Sequence, residues 1–183
     1  MPLDSTSGTW IYATTDTASP AHTLLNRLAN SVRDTIVAIK ARLTAIETQD
    51  SGLLLPAGGQ SIPSGGANTT VTLSAGAGDL SGGVSFASNG LRVAEAGWYH
   101  VSAQVALQTT TAAVYKCHVL VNGTITASCE EGQPGAAYVH VGVSRALRLP
   151  ANAVVTMQTS NGSGAAAAVH NGLATYLSLV KVG

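Results

Sequence analysis

The stretch WYHVSAQVALQT, residues 98–109, alternates with a period of two. Tyr99, Val101, Ala103, Val105 and Leu107 form one apolar row, and Trp98, His100, Ser102, Gln104 and Ala106 form the other. Successive side chains of an extended chain point to opposite faces, so this is a strand with one face made for a core. The opposing row is small and semi-polar, the composition of a subunit interface. Working outward, similar runs occur at residues 69–74, 83–87, 91–94, 113–121, 124–129, 136–149, 153–160 and 173–182. Turn residues separate them: Ser88-Asn89-Gly90, Asn122-Gly123, Gln133-Pro134-Gly135, Asn161-Gly162-Ser163-Gly164 and Asn171-Gly172. Short strands punctuated in this way predict a mainly β chain folded as a sandwich or jelly roll. The 20 glycines and the 10% of charged residues agree with many turns and few solvated helices.

The 183 residues suffice for one globular domain of ordinary size and an appendage. The formal net charge is zero, so neither nucleic acid nor an anionic membrane is an expected partner. No run of eighteen apolar residues occurs, and Met1-Pro2-Leu3-Asp4 begins acidic and polar where a signal peptide would be basic and then apolar. A soluble protein made in a cytoplasm, without membrane insertion, is the expectation.

The appendage is helical. Leu25, Ala29, Val32, Ile36, Ile39, Leu43 and Ile46 repeat at alternating spacings of four and three, which is a heptad seam with Ala29, Ile36 and Leu43 at a and the others at d. So narrow a stripe buries itself most readily against copies of itself. Isoleucine at both a and d, as Ile36 and Ile39 supply, favours three strands over two, so the seam predicts a parallel homotrimer. An amphipathic helix docked on its own domain is the other arrangement the pattern allows. Ser19-Pro20 supplies a cap and a first-turn proline. The helix is expected to run to about Gln49 with Gly52 as its stop, a rod of about 45 Å at about 1.5 Å per residue. Arg42 at g and Glu47 at the next e are spaced for an interchain ion pair.

These readings divide the chain into an N-terminal arm (1–18), a coiled-coil stalk (19–51), a linker with a first strand (52–66) and a β head (67–183). The arm is polar apart from Trp10, Ile11 and Tyr12 and cannot bury enough surface to fold alone, so those three residues are expected to anchor it to a larger assembly. Leu53-Leu54-Leu55-Pro56 reads as the joint between stalk and head.

Little in the sequence carries chemistry. There is no Gly-x-Ser-x-Gly elbow, phosphate loop or His-Glu-x-x-His, so the chain is not expected to be an enzyme or to hold a cofactor. Glu130-Glu131 reads as a solvated loop, with cation binding alongside Asp79 as the alternative. His100, His118 and His140 fall in strands; copies of any one of them meeting on a three-fold axis could hold zinc or nickel and release the trimer near about pH 6, whereas the ordinary role is a polar side chain on a half-exposed face. His22, in the first helical turn, reads as solvated. The two cysteines, Cys117 and Cys129, are too few for a disulfide scaffold. A two-residue turn at Asn122-Gly123 would pair Val121 with Thr124 and leave the cysteines on opposite faces, while a three-residue loop would set them directly opposite. Free thiols are the expectation. Of the sequons at Asn68, Asn122 and Asn161, the last two are Asn-Gly turns explained by backbone geometry. Ala165–Ala168 is either a loop or an inner strand.

The segments GQSIPSGGANTTVTL (59–73), LRVAEAGWYHVSAQVAL (91–107), HVLVNGT (118–124), SRALRLPANAVVTMQTSNGSG (144–164) and TYLSLVKV (175–182) follow an order that resembles the globular head shared by complement subcomponents and tumour necrosis factor. Phage virion proteins carry a similar head, and PAHTLLNRLANSVRDTI (20–36) after a Trp-containing arm is similar to the N-terminal halves of phage structural proteins. Two positions depart from the family pattern: Ala151-Asn152 stands where the family has Gly-Asp, and Ser178 where its last strand often has glycine. The resemblance implies a ten-strand jelly roll that trimerises about a three-fold axis. It also implies a homotrimeric virion appendage, a fibre or capsid decoration assembled in the host cytoplasm, attached to capsid or tail through the arm and able to adhere to a host surface glycan. A soluble bacterial carbohydrate-binding or signalling module with the same head is the alternative.

Overall fold

The computed structural model describes residues 20–47, 49–133 and 137–182, so the anchoring trio Trp10, Ile11 and Tyr12 and the side chain of Ile46 lie outside what can be described. The chain separates into two compact units, Met1–Thr48 and Gln49–Gly183. In the first, helix α1 spans Pro20–Glu47. Proline opens it because the first helical N-H has no partner to lose. None of its described side chains is buried, and it is not long and apolar enough to cross a membrane.

The second unit holds fourteen strands among the described residues. They are β1 (Ser51–Pro56), β2 (Ser61–Ile62), β3 (Thr69–Thr70), β4 (Leu73–Ser74), β5 (Leu80–Ser81), β6 (Val84–Ala87) and β7 (Gly90–Val93). Then follow β8 (Gly97–Gln108), β9 (Ala113–Val121), β10 (Thr124–Gln133), β11 (Tyr138–Leu149), β12 (Val154–Asn161), β13 (Ala167–Val169) and β14 (Tyr176–Lys181). In the first sheet β8 is central, pairing with β11 on one side and with β14 and β13 on the other; β1 continues the sheet beyond β14, and β2, β4 and β5 add to its edges. The second sheet runs β10-β9-β12-β7-β6, with β3 also on β12. All these pairs are antiparallel.

The core lies between the sheets and takes the inward rows that the alternation predicts. Tyr99, Val101, Ala103, Val105 and Leu107 of β8, Leu177 and Leu179 of β14, and Val139 and Val141 of β11 face Tyr115, Cys117 and Val119 of β9 and Val155 and Met157 of β12, all buried. The two tyrosine hydroxyls stay satisfied inside, Tyr99 donating to the Glu95 carbonyl at 3.0 Å and Tyr115 to the Thr111 carbonyl at 2.7 Å. At the entry to the unit, the Lys181 ammonium meets Glu95 at 2.6 Å and Asp50 at 3.4 Å, and Asp50 accepts from the Gly83 N-H at 2.6 Å. The hydrogen bond to Glu95 is the main reason the Lys181 pKa is raised.

Several expectations need correction. Helix α1 has its described end at Glu47, in keeping with an end near Gln49, but Gly52 is not its stop: it lies inside β1, where an added Cβ would come within 2.7 Å of Val84 and 2.8 Å of Leu91. Leu53-Leu54-Leu55-Pro56 is therefore no joint but part of a strand, Leu53 and Leu54 paired to β14 and Leu55 and Pro56 to β4, its residues alternately half-buried and buried. The run 69–74 breaks into β3 and β4, because Asn89 replaces a strand partner there: its side chain accepts from the Leu73 N-H and donates to the Val71 carbonyl, each at 2.7 Å. Asn89 does this from a left-handed backbone (φ 63°) in the turn between β6 and β7. Asn152, where the family pattern has aspartate, is also left-handed (φ 61°), which asparagine tolerates. Glu130-Glu131 is not a loop either, since β10 continues to Gln133 and sends the two carboxylates to opposite faces.

Candidate functional site

A strand that buries one row must present the other, and in the first sheet the presented rows combine into one broad surface. Register sets them side by side. Ser144 of β11, Ser102 of β8, Ser178 of β14 and Leu53 of β1 make one transverse row; Ala146, His100, Val180 and Ser51 make the next; Gly142, Gln104 and Tyr176 make a third. Trp98 stands half-exposed at one end of this face and Tyr138 at the other. Along the outward rows of β8, β11 and β14 the one permanently charged residue is Arg148.

The surface has relief. A trough of about 300 Å³ runs over Ser102, Gln104, Gly142, Ser144 and Tyr176. Its floor is Gly142, whose missing side chain would lie 3.2 Å from the Ala103 carbonyl. Gln104 donates to the Ala174 carbonyl at 3.0 Å, and the Ser144 hydroxyl is 2.8 Å from His100 Nε2, so the polar groups at its rim are tied down. Such a face is small, poor in charge and edged by aromatics, as contact surfaces are, and it also carries the hydroxyl–imidazole pair of Ser144 and His100. A second cavity of about 260 Å³ at the far end of β8 is lined by Gln108, Thr109, Thr110, Thr111, Ala137, Ala165 and Ala166. Ala167–Val169, just beyond, is a short strand, so the alanine-rich run is part loop and part inner strand.

The helix seam is also presented. Leu25, Val32, Ile36, Ile39 and Leu43 are all exposed, Ile36 at 47% and Ile39 at 58%, with Ala29 intermediate; Leu24, Leu28 and Val37 widen the apolar surface.

The histidines divide between the sheets. His100 and His140 lie on the outward face of the first, whereas His118 lies on the second, opposite Ser128 and Gln158. One chain thus brings no three His, Cys, Asp or Glu side chains together among the described residues. His118 is 7% exposed and its Nδ1 has no partner. Burial, seconded by Lys116, holds its pKa below the usual histidine value, while Glu130 opposes the shift. Glu130 pairs with Lys116 at 2.7 Å, and Glu131 accepts from Gln133 at 2.6 Å. Asn122 is left-handed (φ 50°) and accepts from the Val154 N-H, and the buried Asn161 bonds the Ile62 and Ala165 carbonyls, so both sequons are consumed by structure.

The cysteines contradict the opposite-face expectation. The two-residue turn forms as predicted, with Thr124 opposite Val121, but the register slips by one between Ile125 and Ala127, and Cys129 then pairs directly with Cys117. A bulge is invisible to turn counting. Both thiols are free, and burial pushes that of Cys117 up to about 12.

No protein-family model and no curated protein matches the sequence. Solved structures do match the fold. Murine APRIL at pH 5.0 superposes with a TM-score of 0.56 at 19% identity, covering 73% of this chain and 99% of its own. Eiger TNF from S. frugiperda gives 0.57 at 12% identity, covering 74% and 94%. The head is therefore a jelly roll of the tumour necrosis factor type.

Proposed function

We propose that this chain is a non-enzymatic, homotrimeric appendage of a phage virion: an arm that attaches to capsid or tail, a coiled-coil stalk and a jelly-roll head that decorates the particle or adheres to a host surface polymer. The observation that carries it is a pair of presented surfaces, the exposed apolar seam of Leu25, Val32, Ile36, Ile39 and Leu43 on α1 and a charge-poor outward face on the first sheet. The seam composition favours three strands, and the head has the fold of tumour necrosis factor domains, so stoichiometry is reached along two routes. The virion setting rests on the sequence resemblance of the helix and head to phage structural proteins.

Two measurements test it. Light scattering of the purified chain should give three times its 18.4 kDa mass; a monomer refutes the trimer. Antibody against the head, imaged on particles from producing cells, should label one fixed place, and a chain lacking residues 1–18 should remain trimeric but leave the particles unlabelled. Label absent from particles and confined to the soluble fraction would favour the soluble module instead.

A further inference from the structure

The chain has two cysteines in 183 residues, and the fold inserts one extra residue that aligns them. Without the bulge, Cys129 would face outward beside Lys116; with Thr126 looped out, its hydroxyl 3.3 Å from the Val119 carbonyl, the strand turns over and Cys129 faces inward beside Cys117. Directly opposed residues of an antiparallel pair have Cα atoms about 4.5–5.5 Å apart, inside the roughly 4.4–6.8 Å that a disulfide spans.

Their accessibilities are unequal. Cys117 is fully buried, its thiol 3.9 Å from the Ala103 carbonyl, while Cys129 is half-buried on β10, the edge strand of its sheet. We infer that Cys117 and Cys129 are an oxidation site that closes as a cross-strand disulfide, with Cys129 the entry thiol and Cys117 the resolving one. With a low-molecular-weight disulfide as oxidant, the Cys129 thiolate attacks one of its sulfurs and expels a small thiol, leaving a mixed disulfide. Cys117 then loses its proton, rotates from Ala103 and attacks Cys129 Sγ, expelling the second small thiol. Two electrons and two protons pass to the oxidant, and one Sγ–Sγ bond forms. The new bond staples β9 to β10 behind the bulge. For a trimer assembled in a reducing cytoplasm and then released, the staple closes after release; this consequence rests on the proposed virion role, the thiol chemistry does not.

The test uses the full chain, reduced, freed of reductant and incubated with oxidised glutathione. Intact mass should fall by two hydrogen atoms, a peptide map should join the segments holding Cys117 and Cys129, and the melting temperature should rise by about 5 °C and return with dithiothreitol. Cys129→Ser should show no mass change, and Cys117→Ala should stop at the mixed disulfide. A wild-type chain that stops at the mixed disulfide, links to another chain, or melts lower once closed overturns the inference. Particle attachment is read separately, so its failure leaves the thiol result standing.

Discussion

Replacing Ile36 and Ile39 together by asparagine probes the stalk at its most informative positions. In the single chain these side chains are 47% and 58% exposed, so the helix itself covers about half of each. Full burial of an isoleucine is worth roughly 1.5–3 kcal/mol, so covering the remaining half in a coil gives about 1 kcal/mol per side chain. Two positions in three chains make about 6 kcal/mol per trimer, which lowers the association constant about 10⁴-fold. Because three chains associate, the midpoint concentration moves with the square root, about 100-fold. Buried asparagine amides add to the loss. Most helical stability in proteins comes from packing an apolar face, so in the proposed coil the seam would be what holds the helix. The assay is the helical circular dichroism of the full chain during thermal melting. Ile36→Asn with Ile39→Asn should shift the helical phase to lower temperature and leave the β phase in place, whereas Ala38→Asn, off the seam, should move the helical phase far less and the β phase not at all. Helicity and particle attachment both unchanged in the double variant would refute the coiled coil.

Asn89→Ala should cost roughly 3 kcal/mol in urea unfolding, since it strands the Leu73 N-H and the Val71 carbonyl and leaves alanine in a left-handed backbone. The lowered His118 pKa sets a pH dependence: the unfolded chain takes up its proton first as pH falls through about 6.5, so stability should decline below that value and be indifferent to His118 above it. Urea midpoints of wild type and His118→Gln at acid and neutral pH check this, with the decline flattened in the variant. Ser178→Arg, at the middle of the outward face, combined with Ile36→Asn and Ile39→Asn to weaken the seam, should move the chain from trimer toward monomer by light scattering with its β spectrum unchanged.

How much of this was legible depended on the length of a pattern. The twelve alternating residues at 98–109 specify which row is buried, and β8 buries it. The two-residue strands β2, β3, β4 and β5 carry too few residues to alternate, and each exists through a distant partner: Ile62 through Ala167, Thr70 through Gln158, Leu73 through Pro56, Leu80 through Gly52. Leu53-Leu54-Leu55 misled because three consecutive leucines hide an alternation that its neighbours, and not its own polarity, impose. The trough over Gly142 needed two strands at once, for neither sequence records that Ser102 and Ser144 share a row. The cysteine register failed for one residue, Thr126.

A surface that meets its own copies around an axis obeys a rule that ordinary surfaces escape. Any charge on it near the axis is matched by the same charge from each neighbour, so neutrality is the simplest way to be self-complementary. The first sheet follows that rule: serines, glycine, alanine and glutamine occupy the middle of its outward face, and Arg148 stands on β11, a strand with β8 as its one ladder partner. The lysines at 116 and 181 are instead spent in ion pairs away from this face, with Glu130 on the second sheet and with Glu95 and Asp50 at the entry to the unit. A head meant for a nucleic acid or an anionic membrane would distribute its cations the other way. The low charge of the chain is thus not merely a compositional trait but falls on the face through which the proposed trimer would form, which is why a single arginine at Ser178 is expected to undo what the surrounding rows permit.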